Sequence, residues 1–329
     1  MATKQFHKLY PLILLTIVLS SYTVTVSQSE NEYLLYSDQN GNGTNLYLTQ
    51  FPNTTKQTAK SSPLWLKGDL LAWAYAPNTK SLVLQYSSNF DIYLWQLESS
   101  RLQPLFIDQN PNSLYLVQDW SPDGNALLFT LNQSDEYGKN SLVVYGLDGS
   151  VQSLTSVFSS LKFPIEQARW SPDGDYIAFN ARDEQTGPSD IYQISTLCLT
   201  QETPTFCPLE LFQTANNERA MVEMPDSSFV REDWTSPAWS SDSKSLAFFC
   251  GDDICTALRD GTDLKRISAS RGNNLSWGLN DKYLTHDDSG EIYVVDLQKE
   301  ETKNVTNTPT IREHLPVWVD LQPNDFIAR

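Results

Sequence analysis

Glu313 and His314 stand side by side in a chain with three histidines, and Glu166, Gln167 and Arg169 fall within four residues of one another. A carboxylate beside an imidazole can divide acid and base work. A guanidinium three residues from a second carboxylate can hold developing negative charge. Two further groups have the same mixed character, Glu232–Asp233–Trp234 and Arg271 with Asn273, while Arg312 precedes the Glu313–His314 pair. If loops converge these groups, the chemistry is that of a lyase or hydrolase acting on cell-surface carbohydrate. If they stay spread out, they make a mixed-charge rim suited to a protein or peptide partner.

Motifs for other chemistry are missing. Neither Gly-x-Ser-x-Gly nor His-Glu-x-x-His occurs, and "GNGTNL" lacks the third glycine of a dinucleotide loop. With nothing after Arg329 to carry a hydrolase domain, no serine-hydrolase activity is expected. Asp38, Asn40, Asn42 and Gly43 open like a calcium loop, but the twelfth position is Thr49 and the bidentate glutamate is missing. A hairpin explains the same residues, so no metal and no cofactor is expected. Four cysteines, Cys198, Cys207, Cys250 and Cys255, allow three pairings. The simplest is local: Cys198 with Cys207 and Cys250 with Cys255, each across a tight turn. Asn42, Asn53, Asn132, Asn274 and Asn304 begin glycosylation sequons.

The elements that must position these residues repeat. "WSPDGNALLF" at 120 returns as "WSPDGDYIAF" at 170 and as "WSSDSKSLAF" at 239. Aligned on the opening aromatic, the copies begin at Tyr75, Trp120, Trp170, Trp239, Trp277 and Trp318, at intervals of 45, 50, 69, 38 and 41 residues. A period of this size with four short strands per unit is the pattern of propeller blades. An apolar strand ends at the aromatic, and Ser-Pro-Asp-Gly turns the chain. Pro fixes φ, Asp bonds the backbone beyond it, and Gly accepts positive φ. Thr79, Ser243 and Asp281 replace that glycine in degenerate copies. A second strand follows, then a third opening as "DIYLWQL", "DIYQIS" or "EIYVVDL", and a fourth closes the unit after a turn such as Asp148-Gly149. Cys250 and Cys255 are expected to flank the equivalent turn of their copy. The last copy stops early, and "YLLYSDQNGNGTNLYLTQ" near the N-terminus supplies its missing strands, with Asn45-Leu46-Tyr47 in the place of Asp-Ile-Tyr. The prediction is all-β: a six-bladed propeller of four-stranded antiparallel blades, the ring closed by N-terminal strands joining the last blade. The motif Asp123 and Asp173 are expected to be structural.

The WSPDG quartet, the (D/E)IY strand start and the "SDQNGNG" hairpin resemble the repeats of the TolB-like, WD40-like propeller family, blades that also accompany prolyl oligopeptidases. The resemblance spans about 33–329. It implies a binding protein more than a reaction. Propellers bind at the central channel, so the expected site is its mouth: Glu166, Gln167, Arg169, Glu232, Asp233, Trp234, Arg271, Asn273, Arg312, Glu313 and His314. The 69-residue copy adds "TANNERAMVEMPDSSFVREDW", a long loop or partner-binding flap with Met221, Met224 and Phe229 among charges.

Residues 1–27 read as a secretory signal, with Lys4 and Lys8 before an apolar run and small residues up to Ser27. The alternative is an uncut anchor over Leu9–Val26. The propeller then occupies 28–329. The 23 Lys and Arg against 40 Asp and Glu give a net charge of −17, a surface that repels nucleic acid and anionic membranes. The expectation is a secreted or periplasmic monomer, or one anchored with the propeller outside, that docks a protein or peptide without catalysis.

Overall fold

The computed structural model describes residues 32–39, 45–52, 56–61, 70–99, 101–105, 113–133, 140–153, 165–182, 189–199, 210–211, 221–223, 229–231, 233–308 and 311–321. The leader, Asn40 to Gly43, Cys207 and Glu232 lie outside them, as do the side chains of Cys198, Met221 and Phe229.

At the start of the described chain are β1 (Glu32–Gln39), β2 (Asn45–Phe51) and β3 (Lys56–Ser61). Blade I follows as β4 (Leu70–Ala76), β5 (Ser81–Tyr86), β6 (Ile92–Gln96) and β7 (Arg101–Leu105). Blade II is β8 (Ser113–Trp120), β9 (Ala126–Gln133), β10 (Asn140–Gly146) and β11 (Val151–Ser153). Blade III is β12 (Ile165–Trp170), β13 (Tyr176–Arg182), β14 (Ser189–Ser195) and β15 (Glu210–Leu211). An extra antiparallel hairpin, β16 (Met221–Glu223) with β17 (Phe229–Arg231), falls inside the long copy. Blade IV is β18 (Trp234–Trp239), β19 (Ser245–Cys250), β20 (Asp253–Leu258) and β21 (Lys265–Ala269). Blade V is β22 (Asn273–Trp277), β23 (Tyr283–Asp288), β24 (Glu291–Asp296) and β25 (Glu301–Asn304). Blade VI opens with β26 (Arg312–Val319) and is completed by β1, β2 and β3, in the order β26-β1-β2-β3.

The fold is the predicted six-bladed propeller. Each first strand packs on its neighbours, from β4 through β8, β12, β18 and β22 to β26 and back to β4. Closure comes from β1, which pairs with β26 and joins the N-terminal strands to the last blade. Leu35 opposes Val317 of β26 on one side and Leu48 of β2 on the other. The core lies between blades, where alternate strand residues interdigitate: Leu35, Leu46 and Leu48 of blade VI pack with Leu82 and Leu84 of blade I. No helix among the described residues is long and apolar enough to cross a membrane.

The repeated motif is a self-bonded turn that also staples its neighbours. In blades II, III and IV the motif serine (121, 171, 240) donates to the aspartate two residues on and accepts the backbone N–H five residues on. Asp123 and Asp173 are thus turn residues, as expected. Gly124 and Gly174 hold φ of +73° and +82°, and Ser243 and Asp281 take the same left-handed conformation at +61° and +58°. Blade I differs. A 3-10 turn over Pro77–Thr79 moves the left-handed residue to Lys80, one position beyond the expected Thr79. From turn to turn, Asn78 donates to the Pro122 carbonyl, the Asp173 N–H to Ser243 Oγ, Ser241 to Asp281, the Asn280 N–H to Glu32, and the Tyr75 hydroxyl to Asp320.

One expectation is corrected. Cys250 and Cys255 form a disulfide with Cα atoms 5.9 Å apart, but across the turn between the second and third strands of blade IV, β19 and β20. The turn equivalent to Asp148-Gly149 is Asp260-Gly261, where Leu258 and Thr262 are bonded as Gly146 and Ser150 are. Both hairpins are short and end in tight turns, so local sequence alone does not separate them. The Cys198–Cys207 pairing lies outside the described residues.

Candidate functional site

The first strand of each blade runs from the mouth of the channel to the motif turn. The residue before each opening aromatic faces the axis, giving Ala74, Asp119, Arg169, Ala238, Ser276 and Val317 around one level. These residues, with Trp170, Trp239, Trp277 and Trp318 beside them, line a cavity of about 200 Å³. Asp119 and Arg169 are the charged members of this level and stand on adjacent blades.

Their surroundings fix both. Asp119 accepts the N–H groups of Trp120 (2.9 Å) and Trp170 (2.7 Å) on its two carboxylate oxygens. Arg169 Nη1 donates to the carbonyls of Gln118 and Ala168, each at 2.9 Å. Gln118 in turn receives the Ala168 N–H and donates to Thr130. Both charged groups sit deep in the ring, yet each is touched by the channel and neither is fully sealed from solvent. Burial raises the Asp119 carboxyl above the usual range, and the Arg169 charge pulls it back. Burial likewise lowers Arg169, and Asp119 offsets this.

Nearer the mouth, Gln167 of blade III reaches Asn274 of blade V at 3.4 Å, two blades away. Asn274 donates to Asp287 Oδ2 at 2.9 Å, and the same oxygen accepts the Leu315 N–H of blade VI at 2.8 Å. Asn274 therefore belongs to the channel wall, and its amide is already committed, although the sequence marks it only as a sequon. Beside it, His286 is fully buried, stacked on Tyr293 with Nε2 2.8 Å from Ser270 Oγ.

The other predicted residues divide by burial. Glu166, Asp233, Arg271, Asn273 and Arg312 are exposed. Glu166 accepts Asn180, Asp233 accepts the Ser189 N–H of blade III, and Arg271 pairs with Asp252. Trp234 is core, packed on Phe248 with centroids 4.8 Å apart. Glu313 is fully buried and accepts the Thr308 hydroxyl at 2.7 Å. His314 is half-buried, and its carbonyl accepts Ser37. Asp38, the first residue of the calcium-like loop, has its carboxylate engaged by Asn45 and the Tyr47 hydroxyl. Sequence reading missed Asp119, Gln118, Asn274 and Asp287. The signal available was the position before each aromatic, where "QDW" and "ARW" carry opposite charges while "WAY", "PAW", "LSW" and "PVW" carry none.

Burial moves the neighbours Asp287 and His286 in opposite senses. It pushes the Asp287 carboxyl up to about 6, against the bonds from Asn274 and Leu315 that lower it. It pulls the His286 imidazole down to about 4. The native Asp287 keeps a proton that an unfolded aspartate, ionising near ~3.9, has released. Its contribution to stability is present below that value and is lost as pH rises through 6. The contribution of His286 is present above the ordinary ~6.5 and is lost as pH falls through 4. Between pH 4 and 6 the two slopes oppose each other. Asp287→Asn is expected to remove one of them, so its urea midpoint relative to wild type should rise with pH by the equivalent of about 2 kcal/mol across that window. A constant difference at all pH values would refute this.

These features define a class: a closed six-bladed β-propeller, here with a charged, aromatic-walled channel. No family model matches the chain. Over 141 residues it is 32% identical to a protein of Schizosaccharomyces pombe named as a dipeptidyl aminopeptidase, a match covering 39% of this chain and 17% of that protein's length. Among solved structures it resembles a protein named as TolB from Agrobacterium tumefaciens, at 15% identity and TM-score 0.56, over 83% of this chain and 88% of that one. It also resembles a chain of the nidogen/laminin complex, at 11% identity and TM-score 0.57, over 87% and 98%. Oligogalacturonate lyase from Vibrio parahaemolyticus follows at 10% identity and TM-score 0.50, over 83% and 74%. At these identities the structures share the fold.

Proposed function

We propose that this propeller works outside the cytoplasm and, without catalysis, docks a protein or peptide at the mouth of its channel. The observation that carries the reading is the composition of that mouth. Exposed Glu166 and Asp233 put negative charge beside blades III and IV of a closed, stapled ring, exposed Arg271 and Arg312 put positive charge beside blades V and VI with Asn273 between them, and the β16–β17 hairpin is inserted just before the inner strand of blade IV. A preformed rim of mixed charge suits selection of a complementary partner surface. The Cys250–Cys255 bridge supports an oxidising compartment, as does the leader-like N-terminus. The TolB-like fold and the likeness to a chain of the nidogen/laminin complex support protein partnering. The lyase reading would need Glu313 to meet a substrate, and that carboxylate is closed off against Thr308.

The test is crosslinking and capture from the native envelope or culture fluid, read by mass spectrometry, with wild type beside Arg271→Glu/Arg312→Glu. Both arginines are exposed, so the variant should fold normally. One stoichiometric protein captured by wild type, and reduced about tenfold by the variant, is the expected result. Equal capture by both, or none by either, overturns the reading.

A further inference from the structure

The inner cavity differs chemically from the rim. Around its narrow level, the two charges fall together on blades II and III, while Ala74, Ala238, Ser276 and Val317 complete the circle with small or apolar groups. Arg169 spends Nη1 on two backbone carbonyls. Its Nε–Nη2 edge makes no hydrogen bond to any described residue, and neither nitrogen is among the buried atoms lacking partners, so that edge stays accessible. This is the edge that grips a carboxylate through two parallel N–H bonds. Asp119 lies close enough for its charge and that of Arg169 to act on each other. Each of its oxygens holds one backbone N–H, leaving lone pairs for a further donor. The indoles of Trp170, Trp239 and Trp277 stand beside the pair, and indole faces attract an ammonium.

From this we infer that the channel cavity is a binding site for a small zwitterion of the α-amino-acid class. The carboxylate sits on the Nε–Nη2 edge of Arg169, the ammonium lies against Asp119 and the indoles, and the side chain points to the wall of Ala238, Ser276 and Val317. About 200 Å³ holds roughly six waters at ~30 Å³ each, the room one such molecule needs. An Asp–Arg pair is neutral as a unit and complements a ligand that is also neutral overall, so the strongly acidic surface does not repel it. The ligand is taken up within the ring and not at its rim, so the site stands apart from partner docking and neither reading depends on the other.

The test is calorimetric titration of the purified full chain with the protein L-amino acids, each matched to its des-amino carboxylic acid and its decarboxylated amine; for leucine these are 4-methylpentanoate and isopentylamine. At least one amino acid is expected to bind and quench tryptophan fluorescence, with both truncated analogues weaker by about tenfold or more. Asp119→Asn should bring the amino acid and its des-amino acid to equal affinity. Arg169→Gln should abolish binding while the circular dichroism spectrum is kept. If Arg169→Gln does not fold, the analogue comparison on wild type still decides. Binding by no amino acid at millimolar concentration overturns the inference, as does equal affinity of wild type for amino acid and des-amino acid. Retained binding by a folded Arg169→Gln also overturns it.

Discussion

Removal of residues 32–51, which carry β1 and β2, is expected to abolish the cooperative unfolding transition, not merely lower its midpoint. The segment is short, but both of its faces are buried. Leu35, Leu46 and Leu48 pack with Leu82 and Leu84 of blade I, while Leu34 and Tyr36 pack with Ile292 and Val294 of blade V. Glu32 reaches the Asn280 N–H at 2.8 Å and pins the strand start to the motif turn of blade V. Without the segment, β26 is left as a bare edge and the facing sides of blades I and V meet water. Blades are stable because neighbours cover one another, so opening the ring uncovers apolar surface on both sides of the gap. A point change reads the same effect on a smaller scale. Leu35 is fully buried, and Leu35→Asp should cost about 4 kcal/mol, since it loses a core side chain and buries an unpaired carboxylate. Urea unfolding followed by near-ultraviolet circular dichroism measures both. A truncated protein that keeps the wild-type midpoint would show that blade VI is dispensable to the ring.

The second large effect concerns the charged pair in the channel. Arg169→Met is expected to destabilise the protein by about 3 kcal/mol, because it leaves Asp119 deep in the ring without its countercharge and frees the carbonyls of Gln118 and Ala168. Adding Asp119→Asn should recover much of that loss, since the asparagine oxygen still accepts one of the two N–H groups and carries no charge. The quantity sought is the amount by which the double variant loses less than the sum of the two single losses. If the double variant loses the sum of the two single losses, the charges do not depend on each other and the pair is two separate structural groups.

The legibility of the fold traces to local rules. Strand alternation, the self-bonded Ser-Pro-Asp-Gly turn and a repeat interval of 38 to 69 residues each depend on residues a few positions apart. They therefore survive in the sequence and dictate six blades. The same rules place Asn45-Leu46-Tyr47 as a third strand and so foretell closure by the N-terminus. Where two local solutions are equally short, as for the turn at Cys250–Cys255 and the true third-to-fourth turn at Asp260-Gly261, the pattern does not choose. There, pairing of β19 with β20 and of β20 with β21 decides.

The site obeys a different logic, because burial and partnership are made between blades. Nothing near Glu313 in the chain says that its N–H will be held by the Gly290 carbonyl of blade V. Nor does anything near Trp234 say that it will fill a core shared with Ala178 and Ile191 of blade III. Gln167 and Asn274 are 107 residues apart and meet only because the ring folds blade III toward blade V. Asp119 and Arg169 come closest to being readable, since both precede the opening aromatic of their repeat. Their charges were in the sequence from the start. That they share one level of one channel, and hold each other's ionisation, is a consequence of circular closure. Closure converts equal positions in a linear repeat into neighbours around an axis.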